Sequence, residues 1–401
     1  MKLKKHLFIY WYMIFAHLGA FKYFFYVKLL LGIFLLLLII SFSKPLIEEF
    51  KLRKNIWTIN YLYIFFVSVF CQNFFSYSLS FFFGTIIFYL ILSFLAKPTE
   101  KIKEYFFLGL NHGIKLNIVY AVLANFLWQL NFDISSYIFY DLLNLTVSEK
   151  PFVYSANFAG FPINRIAGLS WDPLYLGMIS AIGAVIFFNS RSRLWLVLAL
   201  FVLINTYSLT AIISLIIVCT IYILYYFTKI SPLIFASIII ISIFSSITLL
   251  YYSGLIPLFG VSMGRRLVYY GSIIPTFQNG TLINLLFGLN PFTSGNHFLE
   301  TLRFGDADQY YEWMFRFVDN SKPWNIEIDF VNIILGRGMI GILLFLSLIV
   351  LSWYRIGSKE RSILALYLFG MLFYSYQYSM VLNLMLIVFA QRKLKDKKNY
   401  V

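Results

Sequence analysis

Charged side chains are scarce in this sequence: Asp, Glu, Lys and Arg together make up 12% of its 401 residues. A soluble globular domain carries about 25%. A chain so poor in charge cannot cover a water-facing surface, which excludes an ordinary soluble enzyme or binding module. Cysteine is nearly missing. Cys71 and Cys219 are the two present, far apart and both inside apolar runs, so neither a disulfide nor a metal site is expected. No Walker loop, dinucleotide fingerprint, zinc signature or Gly-x-Ser-x-Gly elbow occurs, and no cofactor is expected.

What fills the sequence is apolar. Hydrophobic residues are 61% of it and the mean hydropathy is +0.80, against about 45–50% apolar in soluble domains. The excess sits in long runs such as residues 29–40 and 233–250, which read as bilayer spans rather than core strands. Phe (45) and Tyr (30) are frequent, either as interfacial belts or through the base composition of an AT-rich genome. Residues 1–20 have a basic start and an apolar run without a small-x-small cleavage site, so an uncleaved first span is expected.

The net charge of +15 in a soluble protein would point to nucleic acid. Here its distribution points to a membrane and to no nucleic acid. Basic clusters at residues 2–5, 44–54, 97–103, 191–193, Lys229, 355–361 and 392–398 hold 21 of the 32 Lys and Arg. Short basic loops mark the cytoplasmic side. The first three clusters are separated by apolar stretches of roughly 40 residues, room for two spans of about 20 each, turning near 17–22 and 71–75. Residues 194–228 read as a third hairpin, turning near 205–208. Single spans are expected at 105–130, 174–189, 232–252 and 330–354. Residues 362–390 are long for one span and short for two. The basic tail favours two short helices turning near 376–379, against one tilted span with the tail outside.

The sum is an all-α polytopic membrane protein of about 12 transmembrane helices, one integral membrane domain over 1–401, with both termini cytoplasmic. Two long extracytoplasmic loops result, 131–172 and 253–329. A connector of about 75 residues is longer than topology needs and is usually functional.

The first loop ends Phe161-Pro-Ile-Asn-Arg165-Ile-Ala-Gly168-Leu-Ser-Trp171-Asp172-Pro173. Arg165, just outside a span, reads either as a bidentate binder of phosphate or carboxylate or as a snorkelling interface residue. Asp172 and Pro173 suit an N-cap and first helical position. The second loop carries Gly264-Arg265-Arg266, then Arg303, Arg316 and Lys322, with Arg337 beyond it. Positive charge outside runs against the topology rule, and an anionic ligand is one reason for it. The acidic residues between them, Asp306, Asp308 and Glu312 among them, read as solvated surface. His297, the one His of this loop, reads as structural or as a reserve base. Asp329 opens the span that continues to Gly336-Arg337-Gly338-Met-Ile-Gly341. A carboxylate there serves as a general base, as a helix N-cap, or as both. Inside the membrane, Lys115 lies with Asn111, His112 and Asn117 in one span. It reads either as facing a polar cavity or as a paired structural lysine.

Three segments carry a family resemblance. Arg165-Ile-Ala-Gly168-Leu-Ser-Trp-Asp172-Pro173 enters a span, Thr206-Tyr-Ser-Leu-Thr210-Ala-Ile-Ile-Ser214 sits at a hairpin, and Asp329-Phe-Val-Asn-Ile-Ile-Leu-Gly-Arg-Gly338-Met-Ile-Gly341 opens another span. Together with the hydropathy layout over roughly residues 100–390, the chain resembles the O-antigen polymerase family, relatives of the O-antigen ligases. The first segment is similar to an Arg-x-x-Gly motif followed by Asp or Asn and Pro. The second is similar to a short Ser/Thr-rich segment, here without its usual Arg. The third is similar to an acidic or His start followed by Gly-Ile-x-Gly. Ligases of the group have His where this chain has Asp329.

The resemblance implies a GT-C-like helical fold and metal-independent glycosyl transfer on the outer side of a bacterial inner membrane. It implies a polyprenyl-diphosphate-linked oligosaccharide as donor and a sugar hydroxyl of a second lipid-linked repeat unit as acceptor. The product would be an O-antigen of lipopolysaccharide or a capsule, and a flippase and a chain-length regulator of the same pathway would be partners beside membrane lipids. The candidate residues fit such chemistry: Arg165, Arg265, Arg266 and Arg337 for the diphosphate, Asp329 as base and His297 in reserve. Ligation, which differs in acceptor, is one alternative. Transport of a lipid-linked oligosaccharide is another; it calls for short loops, internal repeats and midplane charges.

Overall fold

The computed structural model describes residues 100–133, 153–158, 161–166, 168–170, 172–228, 232–256, 260–278, 280–291, 294–303, 326 and 328–373, with scattered positions between 7 and 67. The expected turns near 17–22, 71–75 and 376–379, Cys71, Arg316, Lys322 and the basic tail lie outside the described residues.

The described chain is mostly helical. α1 (Glu100–Gln129), α2 (Pro173–Asn189), α5 (Pro232–Tyr252) and α10 (Asp329–Arg355) occupy the four expected single spans. The expected hairpin is α3 (Arg193–Asn205) and α4 (Leu209–Thr228), turning at residues 206–208. α11 (Ser358–Met371) follows α10. Among the described residues, three helices are long and apolar enough to cross a membrane: Glu104–Gln129 within α1, α4 and α10. α2 and α3 are shorter apolar helices. α3 has 13 residues, about 20 Å at about 1.5 Å per residue.

Two features depart from the sequence-based expectation. Within residues 131–172, against the all-α expectation, β1 (Val153–Phe158) and β2 (Phe161–Ile166) form an antiparallel pair whose register sets Tyr154 opposite Arg165. Within residues 253–329, the described part holds short helices, α6 (Gly260–Gly271), α7 (Ile273–Gln278), α8 (Leu282–Phe287) and α9 (Ser294–Arg303).

Local chemistry sets the helix ends. Asp172 caps α2, its Oδ1 accepting from Leu174 N at 2.8 Å, with Pro173 at the first helical position. Both are as the sequence suggests. The α3–α4 turn is closed by its own hydroxyls. Thr206 Oγ1 donates to Leu203 O (2.7 Å), and Ser208 Oγ accepts from Ala211 N (3.4 Å).

α2 is apolar all round and buried over most of its length. It is the pillar of the larger core, packed by α1, α3, α4 and α11. A smaller core joins the end of α5 to α6, α9 and the start of α10. Outward, α3 shows Leu194, Val197 and Ile204, and α5 shows Ile238, Ile241 and Leu249, all exposed. Contiguous apolar faces of this kind are an aggregation liability in water and ordinary against lipid.

α10 is broken at Gly338, whose φ of 62° and ψ of −168° interrupt the helix. That region belongs to glycine. The gap is filled by the end of α8: a Cβ on Gly338 would stand 2.5 Å from Gly288 N and 2.6 Å from Leu286 O. The Arg337 carbonyl, freed by the break, accepts from Tyr63 Oη at 2.5 Å. Gly338→Ala meets both obstacles at once. The strained backbone alone costs about 1–3 kcal/mol, and the displacement of α8 adds to it. The variant is expected to unfold at clearly lower temperature than the parent in detergent and to accumulate poorly in membranes. An unchanged melting temperature would mean that α8 does not seat here.

Candidate functional site

Arg165 is placed by the β-hairpin and fixed by its neighbours. Its Nε donates to the carbonyl of Thr206 at 2.9 Å, at the α3–α4 turn. Gly168 (φ +55°) turns the chain against α1, where an added Cβ would lie 2.9 Å from Asn117 Oδ1. Asn117 Nδ2 donates to Ser170 Oγ (2.8 Å) in a buried contact. Asn117, read from sequence as an interruption of a span, is the anchor of this turn. The first two of the three noted segments therefore meet, and their meeting point is the bond from Arg165 to Thr206. The hydroxyls of Thr206, Ser208 and Ser214 act in caps and backbone bonds, so this segment serves structure.

Asp329 is the first residue of α10 and is fully buried. The N-cap is Ile328, whose carbonyl accepts from Asn332 N at 2.9 Å. The N-cap position thus falls on Ile328, which makes no side-chain capping bond. A carboxylate in the first turn is still favoured by the helix dipole. Tyr270 of α6 stands close enough for the Asp329 charge to act on it. Burial pushes the Tyr270 hydroxyl well above its ordinary pKa, and Asp329 raises it further. Tyr270 therefore stays protonated and donates to the carbonyl of Leu372, just past α11.

Arg266 precedes Tyr270 by one helical turn, and Arg265 precedes Tyr269 likewise. Both Arg residues are half-buried. The ring of Tyr269 meets that of Phe298 edge-on, centroids 5.2 Å apart, which ties α6 to α9. His297, half-buried, is the neighbour of Phe298.

The course of the chain from α8 to α9 follows α10. Leu289 N donates to Leu335 O (2.8 Å), Asn332 Nδ2 donates to Pro291 O (3.3 Å), and Ser294 Oγ donates to Asn332 Oδ1 (2.6 Å). Rising numbers in 288–294 meet falling numbers in α10. His297 follows Ser294 by about one turn of α9. Phe298 and Leu299 share the smaller core with Ile328 and Val331, as this course requires. Arg265, Arg266, His297 and Asp329 thus lie on three helices that share the smaller core.

Arg337 lies eight residues further on, about 12 Å along the helix axis, buried beside the break. The described contacts hold Arg165 at the α3–α4 turn and Asp329 at α6; they do not unite the two in one pocket. Lys115 is removed from the candidates. Its ammonium lies 5.0 Å from the ring centre of Trp195 and 5.9 Å from that of Phe187. These rings flank the basic turn 191–193. A helical side chain leans toward its helix's N-terminus, here the end of α1 that carries Lys101 and Lys103. Lys115 is the structural lysine of the two readings, seated on aromatic faces.

Sequence reading missed Tyr270, Asn332 and Ser294. Asn332 carried a signal, a polar residue inside the apolar run 330–334. Tyr270 carried a weaker one, one turn from Arg266. Ser294 carried none. Among the described residues, no group of three or more His, Cys, Asp or Glu is placed to hold a metal ion. No protein-family model matches the chain, and no curated protein matches it significantly.

Proposed function

We propose that this chain is a polytopic glycosyltransferase of GT-C-like architecture in a bacterial inner membrane, with both termini cytoplasmic. It polymerises polyprenyl-diphosphate-linked oligosaccharide repeat units into an O-antigen or capsule. The observation that carries the reading is the carboxylate of Asp329, buried at the start of α10, which shares a core with the helices bearing Arg265, Arg266 and His297. The acceptor hydroxyl loses its proton as its oxygen bonds to the anomeric carbon. The bond from that carbon to the diphosphate oxygen breaks, and the diphosphate leaves with the electron pair. His297, half-exposed, takes the proton. Asp329, fully buried, orients it and stabilises its charged form, the division of labour of a His–carboxylate pair. Arg side chains stabilise the departing diphosphate in place of a metal.

Cells lacking the protein are expected to carry surface glycans one repeat unit long. Loss of all surface glycan would instead favour ligation or transport. One observation speaks for transport: α10 is interrupted at Gly338 directly beside the buried Arg337, and broken helices beside charges mark transporter sites. The same glycan analysis separates the readings, because a missing transporter leaves no single units outside.

A further inference from the structure

We propose that residues 282–291 are a re-entrant wedge, seated in the outer leaflet with the exposed side of α8 against lipid acyl chains, rather than part of a water-bathed loop. The proposal rests on the reading of α10 as a membrane span.

Depth comes from α10 itself. Its inner end carries Trp353 and Tyr354, residue types that sit at membrane interfaces. A hydrocarbon layer of about 30 Å takes about 20 helical residues, so its outer boundary falls near Ile334. Arg337 and Gly338 then lie just inside it. Gly288 meets α10 at this height, where an added Cβ would stand 2.4 Å from the Gly336 carbonyl carbon and 2.5 Å from Arg337 N.

The segment is also built as a lipid-facing one must be. Within the hydrocarbon, backbone groups need partners, and non-helical backbone is tolerated only where protein covers it. Thr281 Oγ1 accepts from Asn284 N (3.3 Å), Gly288 N donates to Asn284 O (2.8 Å), and Leu289 N is taken by α10. The non-helical positions Gly288, Asn290 and Pro291 are buried. What α8 turns outward is apolar: Leu282 is 71% and Ile283 67% exposed. Such side chains in water would be a liability. Beside them α10 shows its own exposed stripe of Met339, Leu343, Leu346 and Val350, at helical spacing. Both surfaces fit the same solvent.

The test uses single nitroxide labels on the full chain in liposomes, in a Cys71→Ser, Cys219→Ser background. Labels go at Leu282→Cys and Ile283→Cys, with Leu343→Cys on α10 and Ser253→Cys after α5 as references. Leu282 and Ile283 are expected to follow Leu343, relaxed several-fold more by oxygen than by a water-soluble nickel chelate. Nickel relaxation like that of Ser253 overturns the wedge while leaving α10 a span. Weak relaxation by both agents also overturns it, since another part of the protein then covers α8. Nickel access at Leu343 would overturn the span itself, and the wedge with it.

Discussion

Asp329→Asn is expected to lower polymerisation about 100-fold or more while leaving the protein folded, since loss of correct proton transfer costs about 10²–10⁴ in rate. The substitution keeps the shape of the side chain at a fully buried site and turns one accepting oxygen into a donating NH2. The N-cap position of α10 is held by Ile328, one residue before the substitution. It removes the negative charge that, in the proposed mechanism, holds the His297 imidazole in its proton-accepting form. His297→Asn is expected to lose a similar factor. The double variant should be little worse than either single one, because groups that act as a unit are non-additive. Turnover with lipid-linked repeat units, at matched membrane levels of each variant, measures all three. Near-parent activity in Asp329→Asn would leave Asp329 only its place in the helix dipole. Additive losses would mean that the two residues work apart.

Arg165→Ala is expected to lower polymerisation at least tenfold. Charge-assisted hydrogen bonds contribute about 1.5–3 kcal/mol each, and about 1.4 kcal/mol is a factor of ten. Two losses coincide here. The guanidinium Nε holds the Thr206 carbonyl, which joins the β-hairpin to the α3–α4 turn. The planar fork also suits a diphosphate through paired bonds, whereas Lys offers a point charge. Arg165→Lys keeps a cation and a donor and should recover part of the activity. Glycan chain length in a complemented deletion strain reads the series. If Arg165→Ala matches the parent, Arg165 is an interface residue and the diphosphate site lies at Arg265 and Arg266.

The spans and their ends were legible because each rests on short-range chemistry. The apolar runs fix α1, α2, α5 and α10, and the pair Asp172-Pro173 marks the start of α2 as a cap should. The turn at 206–208 showed as a cluster of hydroxyls between apolar runs. The β-hairpin did not show. Its strands have six residues each, and Pro162 lies in one of them, a residue that usually demotes a strand. The helices α6 to α9 were hidden for another reason. They are short, and their stability comes from packing, α6 on α5 and α7 to α9 on α10, rather than from propensity.

In the site, the chemistry-bearing residues could be named but not assembled. Asp329 and His297 are 32 positions apart, and α9 is tied to α10 by Asn332 bonding Pro291 and Ser294. That pairing is a tertiary fact with no local pattern. Lys115 illustrates the reverse. A charge in a span suggests function, yet its partners, Phe187 and Trp195, lie in other helices and make it structural.

The most direct test of the account is a reconstitution. The full chain in liposomes is supplied with one defined polyprenyl-diphosphate-linked repeat unit, and the lipid-linked products are sized. Polymerisation predicts a ladder of glycans differing by whole repeat units, each still on lipid diphosphate, with released polyprenyl diphosphate rising one for one with the bonds formed. Recovery of the repeat unit unextended, whether left in place or moved across the bilayer intact, would contradict it.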